Sequence, residues 1–205
     1  MPRPRIHDPD TVLDAAESLA VRSGPAAVTI RAVAAATGAS NGAIYHTFGS
    51  RAELLGRSWL RAAHRFLAMQ TELVEAHLGA PAPSRTAAIE AVVAVAQTPV
   101  LFAQRFPESG KLLHLVSREQ LLGDELPDTV AAELASTDRT LVALLVRLSN
   151  ALWDRGDGRA VDVITTCVVD LPTAILLRRG RLSQPVAHEH LRAAVRAVLD
   201  VGPPH

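Results

Sequence analysis

At 205 residues, with 48% hydrophobic side chains, the chain is long enough to bury a core and too apolar to be intrinsically disordered. Only 3% of residues are aromatic, so Ala, Leu and Val must fill that core, which suits close-packed helices and disfavours a β-sandwich. A formal net charge of zero and a single cysteine, Cys167, exclude a uniformly basic protein and an internal disulfide framework. No apolar stretch follows Met1-Pro2-Arg3-Pro4-Arg5 before Asp8 and Asp10, so a signal peptide is not expected. Apolar runs are read as well short of the roughly 18 residues of a membrane helix, which places the protein in the cytoplasm.

The charge is unevenly spread. Residues 1–65 hold eight arginines (3, 5, 22, 31, 51, 57, 61 and 65) against five acids (8, 10, 14, 17 and 53), a net of +3; the remainder balances it at −3. A basic head on an acidic body is the asymmetry of a chain that meets phosphates at one end.

The head is dense in helix signals. Asp8 can cap a first helix with Pro9 at its first position, and Val12, Ala15, Ala16, Leu19 and Ala20 form one apolar stripe before Gly24-Pro25 ends it. A second, short helix runs from Ile30 to about Thr37 behind the cap Thr29, with Ile30, Val33, Ala34 and Thr37 facing inward. Gly38-Ala39-Ser40 then supplies a left-handed turn residue and a new cap. The third helix, Asn41 to Phe48, buries Ile44 and Phe48 and turns Asn41, Gly42, Tyr45 and His46 outward. Two short helices joined by a three-residue turn containing Gly are a helix-turn-helix, whose second helix enters the major groove. Gly42 costs about 0.5–1 kcal/mol relative to Ala inside a helix, a loss that close approach to DNA would justify. Ser50-Arg51-Ala52-Glu53 reads as a capping box opening a fourth helix.

The stretch from Val28 through Ala34, and from Gly38 through Leu55 with its turn glycine, Tyr45-x-x-Phe48 and closing cap, resembles the DNA-binding region of TetR-family regulators. The resemblance covers roughly residues 8–60; one departure is Arg51, where many members carry Lys. It implies that Thr29 touches phosphate and that Arg31 reaches a guanine edge or a phosphate. Ser40, Asn41 and Gly42 would face base edges or backbone, Tyr45 and His46 would hold phosphates, and Arg51 would pair with another. Other roles stay open at this point. The Tyr45 ring can instead pack on the first helix, His46 can be merely solvated, and Arg57, Arg61 and Arg65 can form a solvated face. Arg3 and Arg5 are either a minor-groove arm or an ordinary terminus.

Beyond residue 50 the chain reads as helices with short breaks. Helix four runs from Arg51 to about Leu78, and Gly79 to Pro83 form a loop. Ser84 caps a helix reaching toward Phe106 with a kink at Pro99. Shorter and longer helices follow over Lys111–Leu122 and from Pro127 to Trp153, then Ala160–Arg179 and Pro185–Val201, broken by Gly156-Asp157-Gly158 and Gly180. The expected fold is all-α: about nine helices, with a three-helix DNA-binding domain over residues 1–50 and a helical bundle over 51–205. The resemblance implies dimerisation through the last two long helices, lined by Val161, Ile164, Val168, Leu171, Ile175 and Leu176 and by Leu191, Val195, Val198 and Leu199. It also implies a small-molecule cavity in the body, for which Trp59, Phe66, Met69, Phe102, Phe106, His114, Leu148, Trp153 and Cys167 are candidate lining residues. Plain core packing is the competing role for each.

No Gly-x-Ser-x-Gly, phosphate-cradling loop or dinucleotide fingerprint is present, so no enzyme and no cofactor are expected. His188-Glu189-His190 does not read as a metal site, because i and i+2 on a helix point about 200° apart. The function implied is a ligand-responsive, DNA-binding transcriptional repressor that binds a palindromic operator as a homodimer. The rivals are an architectural DNA-binding protein without a ligand and a helical-bundle enzyme with a basic head.

Overall fold

The computed structural model describes residues 8–117 and 126–204. Among these the fold is all-helical, with ten α-helices: α1 (Pro9–Ser23), α2 (Ile30–Thr37), α3 (Asn41–Phe48), α4 (Arg51–Leu78), α5 (Arg85–Ala96), α6 (Thr98–Arg105), α7 (Pro107–Leu115), α8 (Asp128–Trp153), α9 (Gly158–Thr165) and α10 (Pro185–Val201). Arg3 and Arg5 lie outside the described residues, as do residues 118–122 of the helix expected to reach Leu122, but that helix is already closed at Leu115, where Val116 turns to extended backbone. The near end of that helix begins at Pro107, four residues before Lys111. Proline suits a first helical position, where its missing N–H has no partner to lose.

Packing divides the chain elsewhere than at residue 50. One compact unit comprises the residues up to His64 together with those from Phe106 to Ala135; the other comprises Arg65–Arg105 and Ser136 onward. Helix α4 contributes its first half to one unit and its second half to the other.

The first unit is built around the head. Asp8 caps α1, accepting from the N–H of Asp10 at 3.1 Å. Thr29 and Ser40 cap α2 and α3, accepting from Ala32 and Ala43, each at 3.1 Å. Gly38 takes the left-handed conformation (φ 72°) that closes α2. Val12, Leu13, Ala16 and Ala20 of α1 pack with Ile30, Val33 and Ala34 of α2, Ile44 and Phe48 of α3 and Leu54 of α4. Leu112 of α7 completes this core. Ser50 accepts from the Glu53 N–H at 3.0 Å, but Glu53 turns its carboxylate to Arg57 instead of returning it to the Ser50 backbone. Gly56 marks a close crossing, because a Cβ there would stand 2.9 Å from Val130 of α8 and 3.0 Å from Leu126.

In the second unit α5 is apolar on nearly every side and accordingly buried, against the helix after Thr165 and against α10. Ala91, Val92, Val95, Leu148, Ile164, Leu176, Leu191 and Val195 form its core. The kink expected at Pro99 is a break: α5 and α6 meet at 49°. Helix α9 continues through two wide π-turns, Thr166–Asp170 and Thr173–Leu177. They flank Pro172, which has no N–H to return to the preceding turn. The stretch Gly158–Leu177 corrects the expectation of short apolar runs. Among the described residues it is one helix long and apolar enough to cross a membrane, with a mean hydropathy of 1.8. Ile164, Cys167, Val168 and Leu176 from it sit in the bundle core.

Asp157 caps α9 and holds Arg155 at 2.7 Å, and that ion pair, with the N–H groups of Ala160 and Arg159, lowers its carboxyl from 3.8 to about 2. A depressed folded-state value means that the carboxylate stabilises above its ordinary titration range and stops doing so as pH falls toward 2. Asp157→Ala should therefore lower the thermal midpoint at pH 7, and the difference from the unsubstituted protein should shrink as pH is lowered. A midpoint difference that stays constant through that range contradicts this assignment.

Candidate nucleic-acid interface

No acidic residue occurs between Glu17 and Glu53, so α2, α3 and their turn carry only neutral and basic side chains. Burial of Ile44 and Phe48 fixes the rotation of α3 and leaves Asn41, Gly42, Tyr45 and His46 exposed on its other side. Tyr45 is 56% exposed. Arg31 is exposed one residue into α2. Thr29 and Ser40 use their oxygens as acceptors in the caps, and each hydroxyl keeps its hydrogen for an outside acceptor such as a phosphate oxygen. Both sit at helix N-termini, where the aligned peptide dipoles favour an anion.

Gly42 is the sharpest feature of this face. A Cβ built there would meet nothing nearer than Ser40 Oγ at 4.0 Å. Gly42 is also absent from the positive-φ glycines. Neither backbone conformation nor packing among the described residues demands a glycine at this position.

Arg51 is corrected. Its Nε donates to the Val28 carbonyl and its Nη2 to the Pro25 carbonyl, each at 2.8 Å, so its guanidinium clamps the segment ahead of α2. An arginine can do this with two forked N–H groups; a lysine has no such fork.

Arg57 and Arg61, read as part of a solvated face, have internal work. Arg57 pairs with Glu53 at 2.8 Å. Arg61 is 12% exposed and reaches three acids of α1: Asp10 at 3.1 Å, Asp14 at 2.6 Å and Glu17 at 2.7 Å. Glu17 is 3% exposed and also accepts from Ser109 Oγ of α7 at 2.7 Å. Burial works against the Arg61 charge, yet the bonds from Glu17 and Asp10 leave its pKa above the ordinary value. Neither Glu17 nor Ser109 was singled out by sequence reasoning. The available signal was position: Glu17 lies four residues after Leu13 and three before Ala20, on the buried stripe of α1.

The nine residues expected to line a cavity are not gathered in one place. Trp59, Phe106 and His114 belong to the first unit. Trp59 donates to the Val116 carbonyl at 3.0 Å, and His114 is exposed. The other six belong to the second unit. Leu148 and Cys167 are fully buried in its core. Burial pushes the Cys167 thiol up to about 12, leaving it unreactive. Phe66 and Phe102 stack edge to face at 5.2 Å. Two clefts open on this unit. One, of 650 Å³, has Trp153 in its wall beside Arg85, Arg155 and Asp200. The other, of 480 Å³, is lined by Met69, Glu72, Leu73, Leu101, Gln104 and Arg105. His188 turns a ring nitrogen to the Leu182 carbonyl at 2.8 Å, and the described residues hold no cluster of three His, Cys, Asp or Glu suited to a metal ion.

Residues 12–57 match the family of bacterial regulatory proteins called the tetR family. The whole chain is similar in fold to solved structures. One is a TetR-like transcriptional regulator from Rhodococcus sp. RHA1, 20% identical, with a TM-score of 0.66 over 98% of each chain. A second, from Rhodococcus RHA1, is a bacterial regulatory protein in the tetR family, 21% identical, TM-score 0.66, covering 96% of this chain and 98% of that one. The fatty acid degradation regulator FadR from Bacillus halodurans is 12% identical, TM-score 0.65, over 92% and 97% of the two chains. No curated protein sequence matches the chain.

Proposed function

Starting from a chain whose residues 12–57 match the tetR family and whose fold is shared with its regulators, we propose a cytoplasmic, ligand-responsive transcriptional repressor. It binds a palindromic operator as a homodimer and is released by a small molecule. The observation that carries the DNA-binding part is the polar, acid-free face of α3, with a glycine in its first turn that packing among the described residues does not need. Thr29 and Arg31 at the start of α2, with Ser40 capping α3 and Asn41, Tyr45 and His46 on it, supply the hydroxyl, amide, imidazole and guanidinium groups of a groove-reading surface.

Self-association is supported by the apolar helix Gly158–Leu177, only 33% of whose apolar window is buried within one chain, and by Val186 and Val201 of α10, 55% and 86% exposed. Two-fold symmetry would set two reading helices one DNA turn apart. Release follows if the dimer exists in DNA-fitting and DNA-misfitting forms and the ligand binds the second better. Helix α4, shared by both units, is the element whose tilt would distinguish them. Linkage then requires DNA to weaken ligand binding by the factor by which ligand weakens DNA binding.

Electrophoretic mobility shift with the promoter of the protein's own gene tests this reading. Specific binding that weakens steeply with salt is expected, and its absence overturns the repressor. In the same assay Arg31→Ala should cost about tenfold in affinity, and Tyr45→Phe a smaller amount, from a lost base-edge or phosphate contact. Both variants should remain folded dimers by size-exclusion chromatography. Unfolding of either would mean that its side chain serves the core.

A further inference from the structure

Helix α4 buries an amide oxygen that has no partner. Gln70 is 2% exposed, and its Oε1 accepts no hydrogen bond. At 100° per residue, Phe66, Met69 and Leu73 fall on one flank of Gln70, and Leu67 and Val74 on the other. All of these are apolar. Val74 belongs to the bundle core, and Phe66 meets Phe102 of α6 edge to face. An amide oxygen in such surroundings carries its full desolvation penalty, and a protein interior rarely leaves one so without a use for it.

The flank of Gln70 that holds Met69 and Leu73 is also the wall of the 480 Å³ cleft between α4 and α6. Its other apolar wall is Leu101, and Glu72 and Arg105 face each other across it at 3.7 Å. That volume falls within the roughly 300–1,000 Å³ of small-molecule sites, and its lining is half apolar (Met69, Leu73 and Leu101) and half polar or charged (Glu72, Gln104 and Arg105), with the buried Gln70 lying behind the Met69 and Leu73 wall. Its two charged residues are opposite in sign and paired with each other, so the cleft offers no free counter-charge to an ionic ligand.

We propose that Gln70 is the polar anchor of a small-molecule site entered from this cleft, and that its ligand is a neutral apolar molecule bearing one N–H or O–H donor for Oε1. The inference rests on reading the protein as a ligand-responsive regulator, since it names the class of effector and the atom that selects it. Helix α4 runs unbroken from Arg51, directly after the third helix, to this position and beyond. A ligand seated here therefore touches the element whose tilt was assigned to release.

Two measurements test it on the full-length protein. Gln70→Met removes the orphaned oxygen at nearly constant volume, so without any ligand its thermal midpoint should rise by about 2–4 °C. An unchanged or lower midpoint overturns the proposal, because the amide would then be satisfied in solution and structural. The second compares indole with 1-methylindole, which share an apolar body and differ in the N–H donor. Indole should bind the unsubstituted protein about tenfold more tightly by calorimetry, and Gln70→Met should erase the difference. Equal affinities, or no binding of either compound, overturn it as well. Neither measurement involves DNA. A promoter mobility shift that fails while both succeed would sink the repressor and leave the site standing.

Discussion

Arg61→Met should destabilise the protein by about 3–5 kcal/mol, as removal of one partner from a buried ion pair does. The size follows from which of its three acids is out of water. Asp10 and Asp14 are 69% and 67% exposed, and pairs of that kind contribute about 0–1 kcal/mol each. Glu17 is 3% exposed and takes both Nε and Nη2 of Arg61, at 3.1 and 2.7 Å. Without the guanidinium its carboxylate loses both of those charge-assisted hydrogen bonds while staying in a site that is 3% exposed. Urea unfolding of the single variant, beside Glu17→Met and the double variant, measures this. The double variant should lose less than Arg61→Met alone, since it leaves no buried charge behind. A loss below about 1 kcal/mol for Arg61→Met would place the cluster with ordinary surface ion pairs.

Replacing Gly42 with Leu should move stability and DNA binding in opposite directions. In the free protein the position is helical and open, so leucine should stabilise α3 by about 0.5–1 kcal/mol through helix propensity. Against DNA the same side chain would occupy the space through which the α3 backbone approaches the groove. Overpacking of a close contact costs about 1–3 kcal/mol, which corresponds to a loss of up to about a hundredfold in operator affinity. Thermal melts and mobility shifts on one preparation read both signs. If Gly42→Leu binds the promoter as tightly as the unsubstituted protein, α3 does not present this face to DNA.

Much of the head was legible because its signals are local. A cap, a left-handed glycine and the interval from Ile44 to Phe48 each act within one or two turns, and the helix limits at Ile30–Thr37, Asn41–Phe48 and Arg51–Leu78 came out where those signals fall. The end at Gly180 was legible for the same reason, and so was an interruption near Pro99, expected as a kink and found as a break at Gln97. The long-range partners were not. Arg51 carries the same residue letter whether it meets a phosphate or two carbonyls 23 and 26 positions back, and only the return of α4 against the segment before α2 selects the carbonyls. Glu17 and Arg61 are 44 positions apart, and nothing local to either reports the other.

The candidate sites divide in the same way. Which side of α3 faces outward was set by its own apolar spacing, since Ile44 and Phe48 can be buried together in only one rotation. Which of Trp59, Phe66, Met69, Phe102, Phe106, His114, Leu148, Trp153 and Cys167 lies near a cleft could not be settled that way. An apolar residue on a helix stripe has the same pattern in a core and in a pocket wall, and the two differ only in what the neighbouring helices bring opposite to it. Gln70 is the clearest case. In the sequence it is an ordinary polar residue in a long helix, and its chemical interest begins with burial. Helix class, helix limits and the outward face of the third helix are short-range properties governed by backbone geometry and capping. Arg51 as a clamp, Arg61 as the mate of a buried carboxylate and Gln70 as an unanswered acceptor arise only when helices distant in the chain close over them, because desolvation is decided by tertiary contact.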